Sequence, residues 1–361
     1  MGDVAMTVPV VRALTSAYPD LRVTVLSRPW AEPLFRALGP QVGFVGADLK
    51  KPGGRHRGLM GLHHLYYDLL QPLGITHVAD MHSVLRSHVL RLRFRLAGVR
   101  VARIDKHHAL RRQLCHEGAE AFAQKGLHLP TVFEAYADCL SRLGFPVDLS
   151  DPQFHTPLSS LRPQAMSPGS QEAPHRSTSH QRQIGLAPFA AHPGKELPLP
   201  VVEQVMTLLL SRPDVSICLF GRGERESRLF PLWQERWPAR IVIASETCSN
   251  ILDELLLMSH LSAMLSMDSA NQHLASLVGT RVVSVWGQTH PAAGFAPWRQ
   301  LATDSLQSEM PCRPCSVFGN RKCRLAGVAA GTFPCLQRLE AAAIARQLLT
   351  SQTMNYSTFA S

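Results

Sequence analysis

The 361-residue sequence contains no G-x-x-x-x-G-K-[ST] loop, no D-x-D pair and no long unbroken apolar run. The first absence argues against a P-loop nucleoside triphosphatase. The second removes one device for gripping a nucleotide diphosphate through a divalent metal, and leaves charge neutralisation to basic side chains and helix N-termini. The third argues against a transmembrane helix: runs such as VVEQVMTLLL carry polar residues and fall short of the roughly 20 needed to span a bilayer. No basic segment followed by an apolar core stands at the N-terminus, so a secretory signal is not expected and a cytoplasmic location is.

Acidic residues are also scarce. Asp and Glu number 27 against 37 Lys and Arg, for a formal charge of +10 and a pI near 9.5. This balance favours an anionic partner: nucleic acid, a phosphorylated substrate or an acidic membrane surface. The basic residues concentrate in KKPGGRHRGLMGLHH and HSVLRSHVLRLRFRLAGVRVARIDKHHALRR, both in the first half. Either run could equally be a solvated face. Aromatic residues are sparse within them, which argues against the stacking platforms of single-strand nucleic-acid binders, and nucleic acid is not an expected partner.

What is present is an ordinary globular balance, 45% apolar, on a chain long enough for two domains. Short β-rich runs, LRVTVLS, ITHVADMH and VRVARID, alternate with helix-forming segments in the first half. In the second half QIGLAPFA, VSICLF, RIVIAS, SAMLSM and RVVSVWG read as five strands joined by four helices. Strand and helix in alternation mean parallel α/β, and two doubly wound Rossmann-type sheets are expected. The Ser/Pro-rich stretch 159–183 reads as a linker or insertion between a first domain, 1–158, and a second, 184–337. A terminal helix and tail follow at 338–361.

Ligands in such sheets bind at the carboxyl ends of strands, and the motifs fall there. In LSMDSANQHLASLVG a strand ends at Met267, and Asp268-Ser269 open a helix whose free N–H groups and positive dipole end suit a phosphate. Ser269 and His273, four apart, share a face. Asp268 could accept sugar hydroxyls, or simply cap the helix. In GLAPFAAHPGKELPLP a strand runs into a loop bearing Lys195, either a point charge for a diphosphate or a solvated lysine. In LFGRGERE, Gly221 and Gly223 follow a strand, but Glu226 stands where the dinucleotide fingerprint needs its third glycine. Glu224 there could grip ribose hydroxyls. At the start, Gly2-Asp3 has the chemistry of a tight turn feeding a helix, with Asp3 a possible cap. Cys312, Cys315, Cys323 and Cys335 crowd one segment and could hold a zinc ion, though their spacing lacks the second close pair of the strong patterns. Cys115, Cys139, Cys218 and Cys248 are scattered and read as small buried hydrophobes.

Taken in order, GDVAMTVPVVRAL, LAPFAAHPGKELP, FGRGERE, MDSANQHLASLVGTRVVSVWGQTHP and CRPCSVFGN resemble the ADP-heptose:lipopolysaccharide heptosyltransferases, glycosyltransferase family 9. The resemblance implies a GT-B-like fold of two Rossmann-type domains facing a cleft. It implies inverting sugar transfer without a metal or other cofactor, from an ADP-sugar donor to a lipopolysaccharide core or lipid A-linked acceptor, with peripheral contact at the anionic inner membrane. Carried over residue by residue, Asp3 is the general base and Lys195 the phosphate-binding lysine. Glu224 becomes the ribose contact, and Asp268, Ser269, Ala270 and His273 the donor loop and helix start. Arg86 and Arg91, in the second basic run, become candidate acceptor contacts. Ala190 and Ala191 stand where members of the family can carry hydroxyl residues, and an apolar strand expected before Gly2 is absent from the sequence. That second departure leads us to expect that Met1 is not the natural start. Three other readings stay open: a transferase for another nucleotide sugar, a non-catalytic binding protein, and a basic nucleic-acid binder with a zinc site.

Overall fold

The computed structural model describes residues 1–49, 54–154, 156–161 and 182–350. Most of the expected linker at 159–183, and the tail after residue 350, lie outside the described residues. The chain divides into two units. The first takes in Met1 to His107, Gly2 excepted, and Pro130–Pro157; the second holds Gly2, His108–Leu129 and the chain from Leu158 onward.

The second unit is built on a parallel sheet of six strands: β5 (Arg182–Ala187), β6 (Val215–Leu219), β7 (Ile241–Ile243), β8 (Ala263–Met267), β9 (Val282–Trp286) and β10 (Ser305–Gln307), following β1 to β4 of the first unit. Their spatial order is β10-β9-β8-β5-β6-β7. The five runs read from sequence supply β5 to β9. All five residues of both β8 and β9 are buried, as strands covered by helices on both faces must be. The chain runs outward from β5 to β7, returns to the other side of β5 as β8, and continues outward again. The sheet therefore has its switch point between β5 and β8, where an open α/β sheet leaves a crevice at its carboxyl edge.

On one face of this sheet, Ile184 and Leu186 of β5 and Leu265 and Met267 of β8 pack with Val205 and Leu209 of the helix Leu199–Leu210. The terminal helix Ala341–Leu349 adds Ala341, Ile344, Ala345 and Leu348 to the same core, so it is part of the second unit and not an appendage. Asn250 caps the helix Ile251–Ser259, its side-chain oxygen accepting from the N–H groups of Leu252 and Asp253. A buried ion pair, Arg281 to Asp304 at 2.5 Å, ties the start of β9 to the turn before β10.

Residues 108–129 were expected in the first domain. They lie in the second unit because Leu114 and Phe122 are buried against Ala293, the Arg111 guanidinium stacks on Phe295, and Ala119 N–H bonds to the Arg313 carbonyl at 2.7 Å.

In the first unit the strands are β1 (Val23–Ser27), β2 (Val42–Gly46), β3 (His77–Asp80) and β4 (Arg100–Arg103). They form two separate parallel pairs, β1 with β2 and β3 with β4. Each strand thus pairs along one edge only among the described residues, and the side chains of β1 are at most half-buried. Two small cores support these pairs. One joins Leu62, Leu65, Tyr66 and Leu70 to Leu90 and Phe94, and the other joins Ala102 to Cys139 and Leu143. The helix Gly2–Ala17 begins one residue before Asp3, with Val4 and Ala5 N–H both bonded to the Met1 carbonyl. Asp3 is therefore not the cap but a first-turn carboxylate, favourably placed against the positive end of the helix dipole.

Candidate functional site

At the switch point of the second unit, the loop after β5 and the turn after β8 meet. Lys195 Nζ stands 2.8 Å from Asp268 Oδ2, with only 16% and 7% of the two side chains exposed. Charges taken this far out of water need a partner, and each supplies the other's. The second Asp268 oxygen accepts from Gln272 Nε2 at 3.1 Å. Asp268 is thus neither a simple cap nor a free surface carboxylate.

Ser269 is the N-cap of the helix Ala270–Leu277, yet its side chain makes no capping bond. The hydroxyl faces Ser266 Oγ instead, at 3.4 Å. The first N–H groups of this helix are left without the usual side-chain acceptor, at the end where the helix dipole is positive. Ala270, the first helical residue, brings its backbone N–H and no bulk. In the segments that follow β8 and β9, several buried polar atoms have no hydrogen-bond partner among the described residues: Gln272 Oε1, His273 Nδ1, Gln288 Oε1 and Thr289 Oγ1. Orphan groups of this kind cost stability unless something else satisfies them.

His273 is buried. Burial, reinforced by the Lys195 ammonium, pushes its imidazole down to about 3, so the ring is neutral at physiological pH and cannot itself neutralise an anion. The sign for stability follows: between about pH 6.5 and 3 the unfolded chain binds a proton that the folded one refuses, so acid destabilises the fold. We expect stability to fall with pH across that window, with this residue contributing at most about 1.4 kcal/mol per pH unit. Urea denaturation of wild type and His273→Gln at pH 7 and pH 5 checks it. The substituted protein should lose less stability on acidification, and an equal loss in both would remove His273 as a cause.

The Lys195 loop is held by close backbone packing. Gly194 N–H bonds to the Gly319 carbonyl at 3.2 Å, and the Gly194 carbonyl accepts from Gln288 N–H at 2.8 Å. A Cβ on Gly194 would overlap the Gln288 side chain, and one on Gly319, whose φ is +72°, would run into the Lys195 stem. Glycine is required at both. Ser316 holds the other side of that turn, its Oγ accepting from Phe318 and Gly319 N–H. Behind them Arg313 is buried and donates to the carbonyls of Trp286 at 2.9 Å, Gly287 at 2.6 Å and Thr289 at 3.0 Å, fixing the mouth of β9. Burial, reinforced by the Arg313 guanidinium, pushes the half-buried His290 ring down to about 4.

Glu224 is exposed at the start of the helix Glu224–Arg236, beyond the carboxyl end of β6. Its neighbour Arg225 is paired with Glu196 at 2.7 Å and stacks on Phe189. Glu196 in turn accepts from Ala190 N–H at 2.8 Å, so a carboxylate orders the loop at Ala190. Glu226 folds back against Gly221 and Gly223, so that a Cβ at either would meet its side chain.

In the first unit, Asp3 Oδ2 lies 3.9 Å from His82 Nε2, both side chains over 60% exposed. The loop carrying His82 is shaped by Asp80, which accepts the N–H groups of His82 and Ser83. Asp80 also pairs with Arg91 at 3.1 Å, and both are buried. This corrects the reading of Arg91 as an acceptor contact: its guanidinium is spent on Asp80 and His88 inside the unit. Arg86 is exposed.

The late cysteines are all free, and among the described residues no three His, Cys, Asp or Glu side chains stand where they could hold a metal ion. Cys335 packs into the main core of the second unit, and burial raises its thiol to about 11. The suggested metal set of Cys312, Cys315, Cys323 and Cys335 is thus not assembled.

The family model of glycosyltransferase family 9 (heptosyltransferase) matches residues 126–325. Similar solved structures include E. coli heptosyltransferase WaaC with ADP, at 14% identity over 96% of both chains and a TM-score of 0.62. E. coli ADP-heptose lps heptosyltransferase II is 15% identical over 96% of this chain and 94% of that one, with a TM-score of 0.58. A glycosyl transferase family 9 protein from Veillonella parvula is 17% identical over 85% and 83%, with a TM-score of 0.60. The search of curated proteins found no match. The fold is thus the GT-B-like α/β fold of these transferases.

Proposed function

The chain belongs to glycosyltransferase family 9, the heptosyltransferases, and on that footing we propose that it moves heptose from ADP-heptose to a lipopolysaccharide core acceptor. The observation that carries the donor half of this reading is the Lys195–Asp268 pair at the switch point, beside a helix start with no side-chain cap. A diphosphate entering there would take Lys195 as its counter-ion and the N–H groups of Ser269 and Ala270 as donors. Asp268, released from the lysine, would turn to sugar hydroxyls, and Gln272 and His273 would line the pocket with neutral groups. Glu224 would receive the ribose.

In the transfer itself, an acceptor hydroxyl attacks the anomeric carbon as the bond from that carbon to the phosphate oxygen breaks, inverting the centre. Asp3 takes the hydroxyl proton, and ADP departs with the electron pair of the broken bond. Negative charge growing on the diphosphate is what Lys195 and the helix N-terminus stabilise. With no D-x-D pair in the sequence, these two features carry the neutralisation. Exposed Arg86 faces the acceptor's phosphates, and the acceptor's lipid anchor brings the enzyme to the anionic inner membrane. Among the described residues no helix is long and apolar enough to cross that membrane.

Calorimetric titration with ADP and UDP, followed by transfer assays with ADP-heptose and a purified core acceptor, tests the assignment. Adenine preference and heptosyl product are expected. Binding of UDP in preference to ADP would move the donor to another nucleotide sugar.

A further inference from the structure

The helix Leu85–Leu96, LRSHVLRLRFRL, has two apolar faces. Its inner face carries Leu90 and Phe94 into the core of the first unit, with Arg91 turned to Asp80. At about 100° per residue, Leu85, Leu92 and Leu96 project within about 40° of one another on roughly the opposite side. They are 80%, 56% and 76% exposed. A helix on a water-facing surface normally shows polar residues there.

The residues beside this stripe are basic. Arg86 and Arg93 border it on one side, and His88 and Arg95 on the other. Residues 81–104 contain six arginines and no Asp or Glu, and within the helix only Arg91 meets a carboxylate among the described residues. A line of leucines between arginine shoulders is the pattern of a helix lying in a membrane interface, apolar side chains among the acyl chains and cations at the headgroups. A second copy of the chain is the poorer occupant, because a two-fold contact here would face arginines with arginines.

We propose that this helix is the membrane-docking surface of the protein, seated on an anionic bilayer through Leu85, Leu92 and Leu96 and held by Arg93 and Arg95. The inference rests on the proposed lipid-linked acceptor for its purpose, but its physical content is independent of the donor.

The test is co-sedimentation of the full chain with phosphatidylcholine vesicles, with and without about 30% phosphatidylglycerol. Wild type should bind the anionic vesicles preferentially, and less so as salt rises. The triple variant Leu85→Ser/Leu92→Ser/Leu96→Ser should bind at least about tenfold more weakly. Arg93→Glu/Arg95→Glu should lose the preference for anionic lipid. Should the triple variant prove unstable on heating, the single change Leu92→Glu asks the same question with less disturbance. Wild type left in the supernatant, or leucine variants that bind as wild type does, would overturn the proposal. So would a leucine variant that only converts a dimer to a monomer. ADP titration of the same preparations separates the two readings: failure of wild type to bind ADP would sink the donor assignment and leave the vesicle result standing.

Discussion

Asp3→Asn is expected to lower turnover by about 10²- to 10⁴-fold, the range set by loss of a general base, while ADP affinity stays largely intact. The exchange is nearly isosteric. An amide can still accept a hydrogen bond but cannot take up a proton. The side chain is exposed in the first turn of its helix and touches only His82 among the described ion pairs. The structural cost is therefore confined to the lost charge at the helix N-terminus, about 0.3–1 kcal/mol. Single-turnover transfer and ADP calorimetry on the same protein separate the effects, because a residue that acts only on the acceptor proton changes the first and not the second. Equal losses in both would count against the assignment. His82→Ala is the companion measurement. At 3.9 Å the imidazole can orient or electrostatically support the carboxylate, so a smaller loss is expected. A loss as large as that of Asp3→Asn, with Asp3→Asn itself mild, would transfer the base role to His82.

The sequence disclosed the second unit better than the first for a physical reason. β8 and β9 are buried along their whole length and β5 to β7 over most of theirs, so burial demands largely apolar runs, and these can be read without knowing the pairing. β2, VGFVG, carries two glycines and is half-exposed, so the same signal is diluted to the level of a loop. β10 has three residues, all half-buried, too few to show any period. Lys195 and Asp268 were each legible as strand-end residues, and the switch-point rule predicts where such residues lie. Their direct pairing was not legible, because it depends on β8 returning to the far side of β5.

Polar residues were harder still. Gln272 stands four residues after Asp268, the helical spacing that lets its amide reach the carboxylate. Gln288 and Thr289 follow β9 in a stretch that resembles any turn. Their lack of partners becomes visible only once the surrounding groups are placed. Arg91 reads from sequence as a candidate acceptor contact because arginine is mostly exposed. It follows Leu90 directly and precedes Phe94 by one turn, which puts it on the inward shoulder of the helix, where Asp80 waits at the end of β3. The same run of residues holds the outward leucines Leu85, Leu92 and Leu96, whose exposure is set by which face Leu90 and Phe94 bury.

Lys195→Ala should weaken ADP binding by roughly 10- to 150-fold, the loss of a charged hydrogen-bond partner worth about 1.5–3 kcal/mol. Two causes would contribute and can be told apart. The ammonium no longer meets the diphosphate, and Asp268, only 7% exposed, is left as an uncompensated carboxylate in the same pocket, repelling the incoming phosphates. Gln272 still donates to one of its oxygens, which softens that penalty without cancelling the charge. A double-mutant cycle with Asp268→Asn resolves them. If direct contact dominates, the double variant binds ADP no better than Lys195→Ala. If repulsion dominates, neutralising Asp268 restores much of the affinity. Thermal denaturation of the same set guards against a folding defect, since removing one member of a buried pair also destabilises the fold. A Lys195→Ala protein that folds normally and binds ADP as wild type does would take Lys195 out of the donor site, and with it the reading of the β5–β8 switch point as the place where the diphosphate sits.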